Sequence, residues 1–372
     1  MLRKLLFYLI NLVGLIITSV SPLVGALNAN ALMAGNICPS SVIDKIMQFI
    51  RPNEEIQEVE SLERFKVYVS GKPIGFQVDG GGVVVVTMGE VKTENGYVKS
   101  PCEDAGVKVG DVIIKASGED VTSGERLIDI INSRQGQTCA LQLLRNGTEI
   151  SVDVTPLFDN YALSYRLGVW VRDNAVGVGT VTYVTEDNCF SALGHPIADS
   201  DTSTIFPVGV GKIYKCSVIG VRKGERGKPG ELKGLFLKNS NEIGMIQKNT
   251  TKGISGKLTS SEAISSFKTG GLTEVALRKE VKPGSATIYT TIDGNEPRYY
   301  DIEIIKTNHV NSYGNKCMVI RIVDEELLNA TNGIVQGMSG TPILQEGRLV
   351  GCVTHVFIND PTKGFADFID LS

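Results

Sequence analysis

The chain has 372 residues and a formal net charge of -4 at pH 7, so it is long enough for two or three domains. It lacks the basic excess that is typical of nucleic-acid-binding proteins. Its 41 glycines and 6% aromatic residues favour many short strands and tight turns over a helical bundle. The 7 cysteines form no C-x-x-C pair, so we predict mostly free thiols, no metal site and no cofactor.

An uncharged apolar run extends from Leu5 to about Leu27, behind two basic residues. About 20 apolar residues are enough to cross a bilayer, and the basic flank is expected to stay in the cytoplasm. We therefore predict a signal anchor over residues 1–27 and export of the remainder of the chain. A cleaved signal peptide, with Ala29-Asn30-Ala31 as the cleavage site, is the alternative. Both interpretations place the body of the protein outside the cytoplasm.

Residues 28–64 are predicted to form a stalk. A short amphipathic stretch from Val42 to Ile50 is followed by an acidic segment, which together favour a solvated tether.

Residues 65–157 carry the pattern of a small β module with one helix. Phe65 to Val69 alternates apolar and polar side chains, and Val83 to Val86 is a continuous β-branched run. The segment from Ser100 to Asp111 then contains the signature Ser-Pro-x-x-x-Ala-Gly-x-x-x-Gly-Asp. A helix with Ser123 as its N-cap follows, and Asn146-Gly147 marks a β-hairpin.

In its element order and its signature, this segment resembles a PDZ domain of the kind attached to bacterial proteases. The resemblance implies a loop before the second strand that binds a peptide carboxylate through backbone N–H groups, after which the peptide adds to the sheet as a strand. Ile74, Gly75 and Phe76 match the position of that loop. A PDZ fold that serves as a spacer without a ligand is the alternative.

The segment after Pro156 reads as short strands and turns, and His195 follows one of these strands. The small residues before His195 leave room for an imidazole that faces a cleft. A histidine with an ordinary pKa near ~6.5 can act as a general base. A structural role for His195 is also open, and the competing histidines are His309, in a polar turn, and His355, on a later strand.

Ser339 lies in the string Gln-Gly-Met-Ser-Gly-Thr-Pro, between Gly337 and Gly340. Glycine accepts positive φ angles, so such a turn can point two backbone N–H groups at the oxyanion of an acyl-transfer intermediate. An ordinary glycine-rich hairpin turn is the alternative interpretation.

Asp324 is predicted to end a strand and begin a helix. As an N-cap its carboxylate would accept helix N–H groups, and as a catalytic residue it would orient a histidine. Asp199 and Asp201 are the alternatives for the catalytic role, because they lie nearer to His195 in the sequence.

Three strings around these residues, at 192–196, 333–342 and 350–361, are together similar to the sporulation serine peptidases of the stage IV sporulation protein B family. The resemblance implies a mainly β chymotrypsin-like double β-barrel over residues 158–372. It also implies that His195 is the general base, Ser339 the nucleophile and Asp324 the third triad member. The backbone N–H groups of Gly337 and Ser339 would form the oxyanion hole, by analogy with chymotrypsin-like sites.

The family also implies a biological role. Such a peptidase is anchored in a membrane and exported to the intermembrane space of the developing spore, where it cleaves itself in the stalk. It then cleaves a membrane-associated regulator, which triggers intramembrane processing of a late sigma factor. The PDZ domain would bind peptide C-termini or the chain itself. The competing hypothesis is a proteolytically inactive, membrane-tethered PDZ adaptor.

Overall fold

The computed structural model describes residues 64–236, 242–309 and 316–369. The predicted signal anchor and almost all of the predicted stalk lie outside these ranges. Within them, no helix is long and apolar enough to cross a bilayer.

In the described ranges, four short α-helices and one 3₁₀ helix accompany a large number of strands. The helices are α1 (Pro101–Asp104), α2 (Gly124–Ser133), α3 (Ser261–Phe267) and α4 (Glu325–Thr331), and the 3₁₀ helix is Arg278–Glu280. The first twelve strands are β1 (Lys66–Val69), β2 (Pro73–Met88), β3 (Val91–Thr93), β4 (Gly96–Val98), β5 (Val112–Ala116), β6 (Glu119–Asp120), β7 (Cys139–Arg145), β8 (Thr148–Val154), β9 (Leu157–Asp159), β10 (Ser164–Arg166), β11 (Val169–Val184) and β12 (Cys189–Ala192). The remaining strands are β13 (Val208–Lys215), β14 (Ser217–Arg222), β15 (Glu231–Leu235), β16 (Glu242–Thr250), β17 (Gly253–Leu258), β18 (Thr273–Glu274), β19 (Gly284–Thr290), β20 (Arg298–Thr307), β21 (Met318–Ile322), β22 (Pro342–Gln345), β23 (Arg348–Val356) and β24 (Lys363–Phe368).

Two closed six-stranded barrels form the peptidase half. In the first barrel the strands follow the order β2-β11-β12-β17-β16-β13, and it closes because β2 pairs with both β11 and β13. In the second barrel the order is β19-β20-β21-β24-β23-β22. Each barrel encloses its own apolar core, as alternating side chains of closed sheets require. The predicted mainly β double-barrel fold is confirmed.

The PDZ module extends from the same sheet. The second half of β2 pairs with β5, β5 pairs with β7, and β7 pairs with β8. Helix α2 covers this sheet, with buried Leu127, Ile130 and Ile131 on one face. Ser123 caps the helix as predicted, because its hydroxyl accepts from the backbone N–H of Arg126. Ile128 of the same helix is 41% exposed.

Strands β2 and β11 each have 16 residues and belong to both modules. The first half of β2 pairs with the second half of β11 in the first barrel, and the remaining halves pair within the PDZ module, from Val169↔Met88 to Arg172↔Val84. The chain therefore enters the PDZ module through β2 and returns to the barrel through β11. The module boundaries expected from the sequence, 65–157 and 158–372, stay a prediction.

Candidate active site

The turn that carries Ser339 is held in a conformation that needs glycine on both sides. Gly337 has φ +97° and Gly340 has φ +91°. A Cβ on Gly340 would lie 2.2 Å from Thr180 O and 2.4 Å from Leu193 N, so the backbone of β11 approaches this turn too closely for any side chain. Ser339 itself is half-buried.

Two threonines of β11 hold the Ser339 turn. Thr180 donates its backbone N–H to Ser339 O at 3.1 Å and its hydroxyl to Gly337 O at 2.9 Å. Thr182 donates its hydroxyl to Gly340 O at 2.7 Å. Both threonines are buried, at 2% and 1% exposure. Because each donates to a carbonyl of the turn, the conformation around Ser339 depends on β11 as well as on its own glycines.

The turn that carries His195 packs against the same strand. Leu193 and Gly194 have positive φ angles, and the backbone N–H of Leu193 donates to Thr180 O at 3.2 Å. A Cβ on Gly194 would lie 2.7 Å from Cys352 Sγ. The predicted small residues before the histidine therefore let this turn pack closely on β23 of the second barrel.

His195 has a defined tautomer. Its Nδ1 lies 2.9 Å from Pro196 O, and a carbonyl can only accept a hydrogen bond. In the neutral ring the hydrogen therefore lies on Nδ1, which leaves Nε2 unprotonated and able to accept a proton. Burial lowers the pKa of His195, against the opposing effect of this hydrogen bond.

The Ser339 turn contacts the residue before His355, and the ring of His355 lies beside that of His195. The Ser339 hydroxyl donates to Thr354 O at 3.2 Å, and the imidazole centroids of His195 and His355 lie 5.4 Å apart. In this conformation the hydroxyl is bonded to a carbonyl, so it has to rotate away before it can donate to an imidazole. Catalytic hydrogen bonds are often long or poorly aligned in unliganded enzymes and tighten when substrate binds.

The two N–H groups predicted to bind an oxyanion are both available. Among the backbone hydrogen bonds of the described ranges, neither Gly337 N–H nor Ser339 N–H is a donor. They flank Met338, whose own N–H donates to Val335 O at 3.1 Å. The assignment to an oxyanion hole stays a prediction, and this arrangement is compatible with it.

The other two histidines differ in their surroundings. Partial desolvation, with the neighbouring His195 and Lys316, lowers the pKa of His355 to about 4. His355 is therefore neutral over the physiological range and contacts the site without carrying charge. His309 stacks on Phe368 and bonds Thr307 at 3.1 Å, apart from the Ser339 turn.

The three candidate carboxylates are bonded to other groups. Asp324 caps α4: one oxygen accepts from Leu327 N at 2.9 Å and the other from Asp301 N at 3.3 Å. Asp199 is buried, where it accepts from Arg172 and from Thr202 N and Oγ1.

Asp201 accepts from the same arginine at 2.9 Å. Burial would raise the pKa of Asp199, but the hydrogen bonds from Thr202 and Asp201 and the charge of Arg172 hold it below its ordinary value. The choice of a third triad member stays a prediction.

The predicted peptide-binding residues require a correction. Ile74, Gly75 and Phe76 lie inside β2, where β11 pairs along one edge and β13 along the other. Ile74 is fully buried, and a Cβ on Gly75 would lie 2.3 Å from the ring of Phe236. With both edges paired, this segment offers no backbone N–H groups to a peptide.

A groove suited to a peptide lies elsewhere in the PDZ module, between α2 and the start of β11. It encloses a cavity of about 630 Å³ whose walls include Leu127, Ile128 and Ile131 on the helix, and Gly168 to Val171 on the strand side. From Val169 to Val171, β11 pairs with β2 along one edge, and the edge facing the groove pairs with no strand of the described ranges. An extended peptide can add to such an edge.

The sequence contained a signal for this groove. The string Leu167-Gly168-Val169-Trp170-Val171 belongs to the segment after Pro156 that the sequence predicts as short strands and turns. Gly168 has φ +66°, and a Cβ there would lie 2.8 Å from Ser100 Cα. Only glycine fits at position 168, directly before a strand that lies beside a helix. Such a position is typical of a tight loop at the edge of a sheet where a ligand binds.

Two family models match the chain. Residues 163–371 match the model described as SpoIVB peptidase S55, and residues 66–155 match the PDZ domain model. The first match covers more than half of the chain. The chain belongs to the SpoIVB peptidase S55 family. The predicted resemblance to PDZ-containing sporulation peptidases is confirmed, and a serine peptidase domain follows from it.

Two similar proteins each match a short part of the chain. Serine protease HTRA1 of Xenopus tropicalis is 40% identical over 57 residues, which are 15% of this chain and 12% of that protein. The PDZ domain of an SdrC-like protein from Listeria monocytogenes is 22% identical with a TM-score of 0.20, and the match covers 24% of this chain and 87% of that structure.

Proposed function

We propose that the chain is a serine endopeptidase in which Ser339 is the nucleophile and His195 the general base. The observation that carries the proposal is the packing of both turns on Thr180, which bonds Ser339 O, Gly337 O and Leu193 N. The turns that carry His195 and Ser339, which are 144 positions apart in sequence, thereby contact the same strand. Family membership supports the same reaction class.

The reaction follows from the tautomer of His195. Nε2 accepts the hydroxyl proton of Ser339 while Oγ attacks the scissile carbonyl carbon, and the electron pair of the C=O bond moves to oxygen. The N–H groups of Gly337 and Ser339 stabilise that oxyanion. His195 then gives the proton to the leaving amine. In the second half of the reaction, His195 takes a proton from water while the water oxygen attacks the acyl carbon, and it returns that proton to Ser339 Oγ as the ester bond breaks.

The third member of the constellation would orient His195 and stabilise its imidazolium form. In the described conformation the Pro196 carbonyl holds the His195 tautomer, which is part of the role that an aspartate plays in a triad. Asp324 remains our proposal from the family resemblance, with its capping bonds as the competing role.

The substrate, location and trigger are proposed from the family. We place the chain in a membrane through residues 1–27, with the body exported to the intermembrane space of a developing spore. Its substrates would be its own stalk and a membrane-associated regulator, whose cleavage starts intramembrane processing of a late sigma factor. Peptide C-termini, or the chain itself, would bind in the groove between α2 and β11.

Labelling with a fluorophosphonate probe tests the proposal. We expect labelling of the full chain, its loss in Ser339→Ala, and a loss of about 10²- to 10⁴-fold in rate in His195→Ala. His309→Ala is the matched control, because that ring stacks on Phe368 and should leave the rate unchanged. Labelling that disappears only in His355→Ala would move the base to His355.

The competing function is an inactive adaptor that acts only through its groove. Ser339→Ala separates the two functions in sporulating cells. If self-processing and cleavage of the membrane partner proceed unchanged in that variant, the adaptor is correct and the peptidase proposal is wrong.

A further inference from the structure

Strand β11 connects the peptide groove to the catalytic turns without a break in the chain. At its start, Val169 to Val171 form one wall of the groove. Asp173 accepts the backbone N–H of Gly124 at 3.0 Å, which ties the first residue of α2, the opposite wall, to the same strand. Both walls of the groove are therefore fixed to β11.

The middle of β11 contacts the loop that follows His195. Arg172 donates to Asp199 and Asp201, which lie four and six residues after the histidine. Asp199 is 2% exposed, and a charge-assisted bond to a buried carboxylate is stronger than a surface ion pair. This bond holds the histidine loop to the part of β11 that leaves the groove.

The far end of β11 contacts both catalytic turns at one residue. Thr180 donates its N–H to Ser339 O and its hydroxyl to Gly337 O, and its carbonyl accepts from Leu193 N. Gly337 and Ser339 are the residues whose N–H groups would bind the oxyanion. A small displacement of Thr180 therefore changes the geometry of the nucleophile, the oxyanion site and the histidine turn together.

The pairing along β11 allows displacement in one part and resists it in another. The register with β2 shifts between Trp170 and Val171 and again between Arg172 and Asn174. Such bulges let a strand bend locally. From Asn174 to Thr180 the register is unbroken, so this part has to move as a unit.

We propose that Thr180 is the positioning residue of the catalytic site and that β11 links its position to that of Val169–Val171 at the other end of the strand. The inference rests on the proposed function, because it requires Ser339 to be the nucleophile.

Thr180→Val tests the positioning role, because it keeps the shape of the side chain and removes its hydroxyl. We expect the maximal rate of fluorophosphonate labelling to fall about 10²-fold, as it does when catalytic groups are misplaced, with little change in the affinity for the probe. Thr180→Ser should restore most of the rate, since its hydroxyl can still donate to Gly337 O.

Thr331→Val is the matched control for a purely structural effect. Thr331 is also fully buried and donates to backbone carbonyls, Leu327 O and Gly333 O. If Thr180→Val and Thr331→Val lower the labelling rate and the melting temperature equally, Thr180 has no special positioning role and that part of the proposal is overturned.

A double-substitution experiment tests the link. Gly168→Ala adds a Cβ that would lie 2.8 Å from Ser100 Cα, so it displaces the start of β11. We expect it to lower the labelling rate in the unsubstituted background and to have no further effect in Thr180→Val. Gly147→Ala is the control, because Gly147 also has a positive φ but nothing lies within 4 Å of an added Cβ.

Each result decides a different claim. Additive effects of Gly168→Ala and Thr180→Val, or equal effects of Gly168→Ala and Gly147→Ala, would overturn the link. If Gly168→Ala does not fold, Trp170→Ala perturbs the same segment through a side chain that is 68% exposed, and the same criteria apply. Absence of labelling in the unsubstituted chain would instead overturn the proposed function.

Discussion

The hydrogen on Nδ1 of His195 decides which ring nitrogen can accept a proton in this site. Pro196 O fixes it there, as a carboxylate does in chymotrypsin-like enzymes, but a carbonyl carries no full negative charge. A neutral acceptor orients the ring and stabilises the imidazolium less than a carboxylate would. Burial therefore remains the larger influence, and it lowers the pKa of His195.

The pH dependence of labelling follows from this shift. The catalytic form of His195 is the neutral imidazole, and a lowered pKa keeps the ring neutral to lower pH. We expect the acid limb of the fluorophosphonate labelling rate to have its midpoint below about pH 6.5, the ordinary histidine value. A midpoint above pH 7 would show that a carboxylate stabilises the imidazolium in the working enzyme.

Close packing at Gly340 gives a second prediction at the residue scale. In Gly340→Ala the added Cβ would collide with Thr180 O and Leu193 N, so both catalytic turns have to shift. We expect the labelling rate to fall about 10²-fold. Gly347→Ala has a similarly positive φ with open space around it and should retain the rate. An equal loss in both variants would attribute the effect to backbone strain alone.

Sequence patterns predicted roles for His195 and Ser339 and predicted none for Thr180. A serine between two glycines and a histidine after small residues are local sequence patterns, and a catalytic turn allows few residue types at such positions. Thr180 is one threonine within a strand, and its importance comes from three hydrogen bonds to residues far away in the chain. The pattern of a single sequence does not show which residues make such long-range contacts.

At the scale of elements, Asp324 caps the N-terminus of helix α4, because its carboxylate accepts from Leu327 N. We expect Asp324→Ala to destabilise the chain by about 1 kcal/mol and Asp324→Ser to be nearly neutral, because serine is also a good N-cap. Chemical denaturation measures both. Equal stability of the two variants would contradict the capping role.

The same Asp324→Ser variant tests the triad assignment independently of stability. A serine cannot stabilise an imidazolium, so a labelling rate about 10⁴-fold lower in a stable protein would support Asp324 as the third member. An unchanged rate would leave the carboxylate with its capping role alone.

The groove between α2 and β11 gives a prediction about binding. Ile128→Arg places a charge on the helix wall, and because Ile128 is 41% exposed the fold should persist. We expect peptides selected from a random C-terminal library on the full chain to lose binding to this variant. Ile219→Arg, at a 63% exposed position of β14, is the control. Selected peptides that bind both variants equally would place their site outside the groove.

The sequence predicted a PDZ module but put its peptide site at Ile74–Phe76. That expectation assumed that the binding loop precedes the second strand of the module. Here β2 passes through the first barrel before it enters the PDZ sheet, and the edge beside α2 belongs to β11. Which strand neighbours a helix is decided by long-range pairing, which alternation along a strand does not reveal.

At the scale of the whole molecule, two modules share two continuous strands. Glycine content and period-2 alternation predicted a mainly β protein, since those features restrict local structure. The PDZ module and the double barrel were implied by the resemblance to PDZ domains and to sporulation serine peptidases. The shared strands were not predicted, because β2 and β11 each read as ordinary strand sequence along their length. A linker would isolate the groove from the catalytic turns, whereas a shared strand couples them mechanically.

A crystal structure of the chain with a phosphonate bonded to Ser339 Oγ tests the central claim most directly. We expect the phosphoryl oxygen within about 3 Å of the backbone nitrogens of both Gly337 and Ser339, with His195 Nε2 within hydrogen-bond distance of Oγ. A phosphonate on Ser339 whose oxygen contacts neither nitrogen, with the imidazole of His195 turned away, would contradict the account.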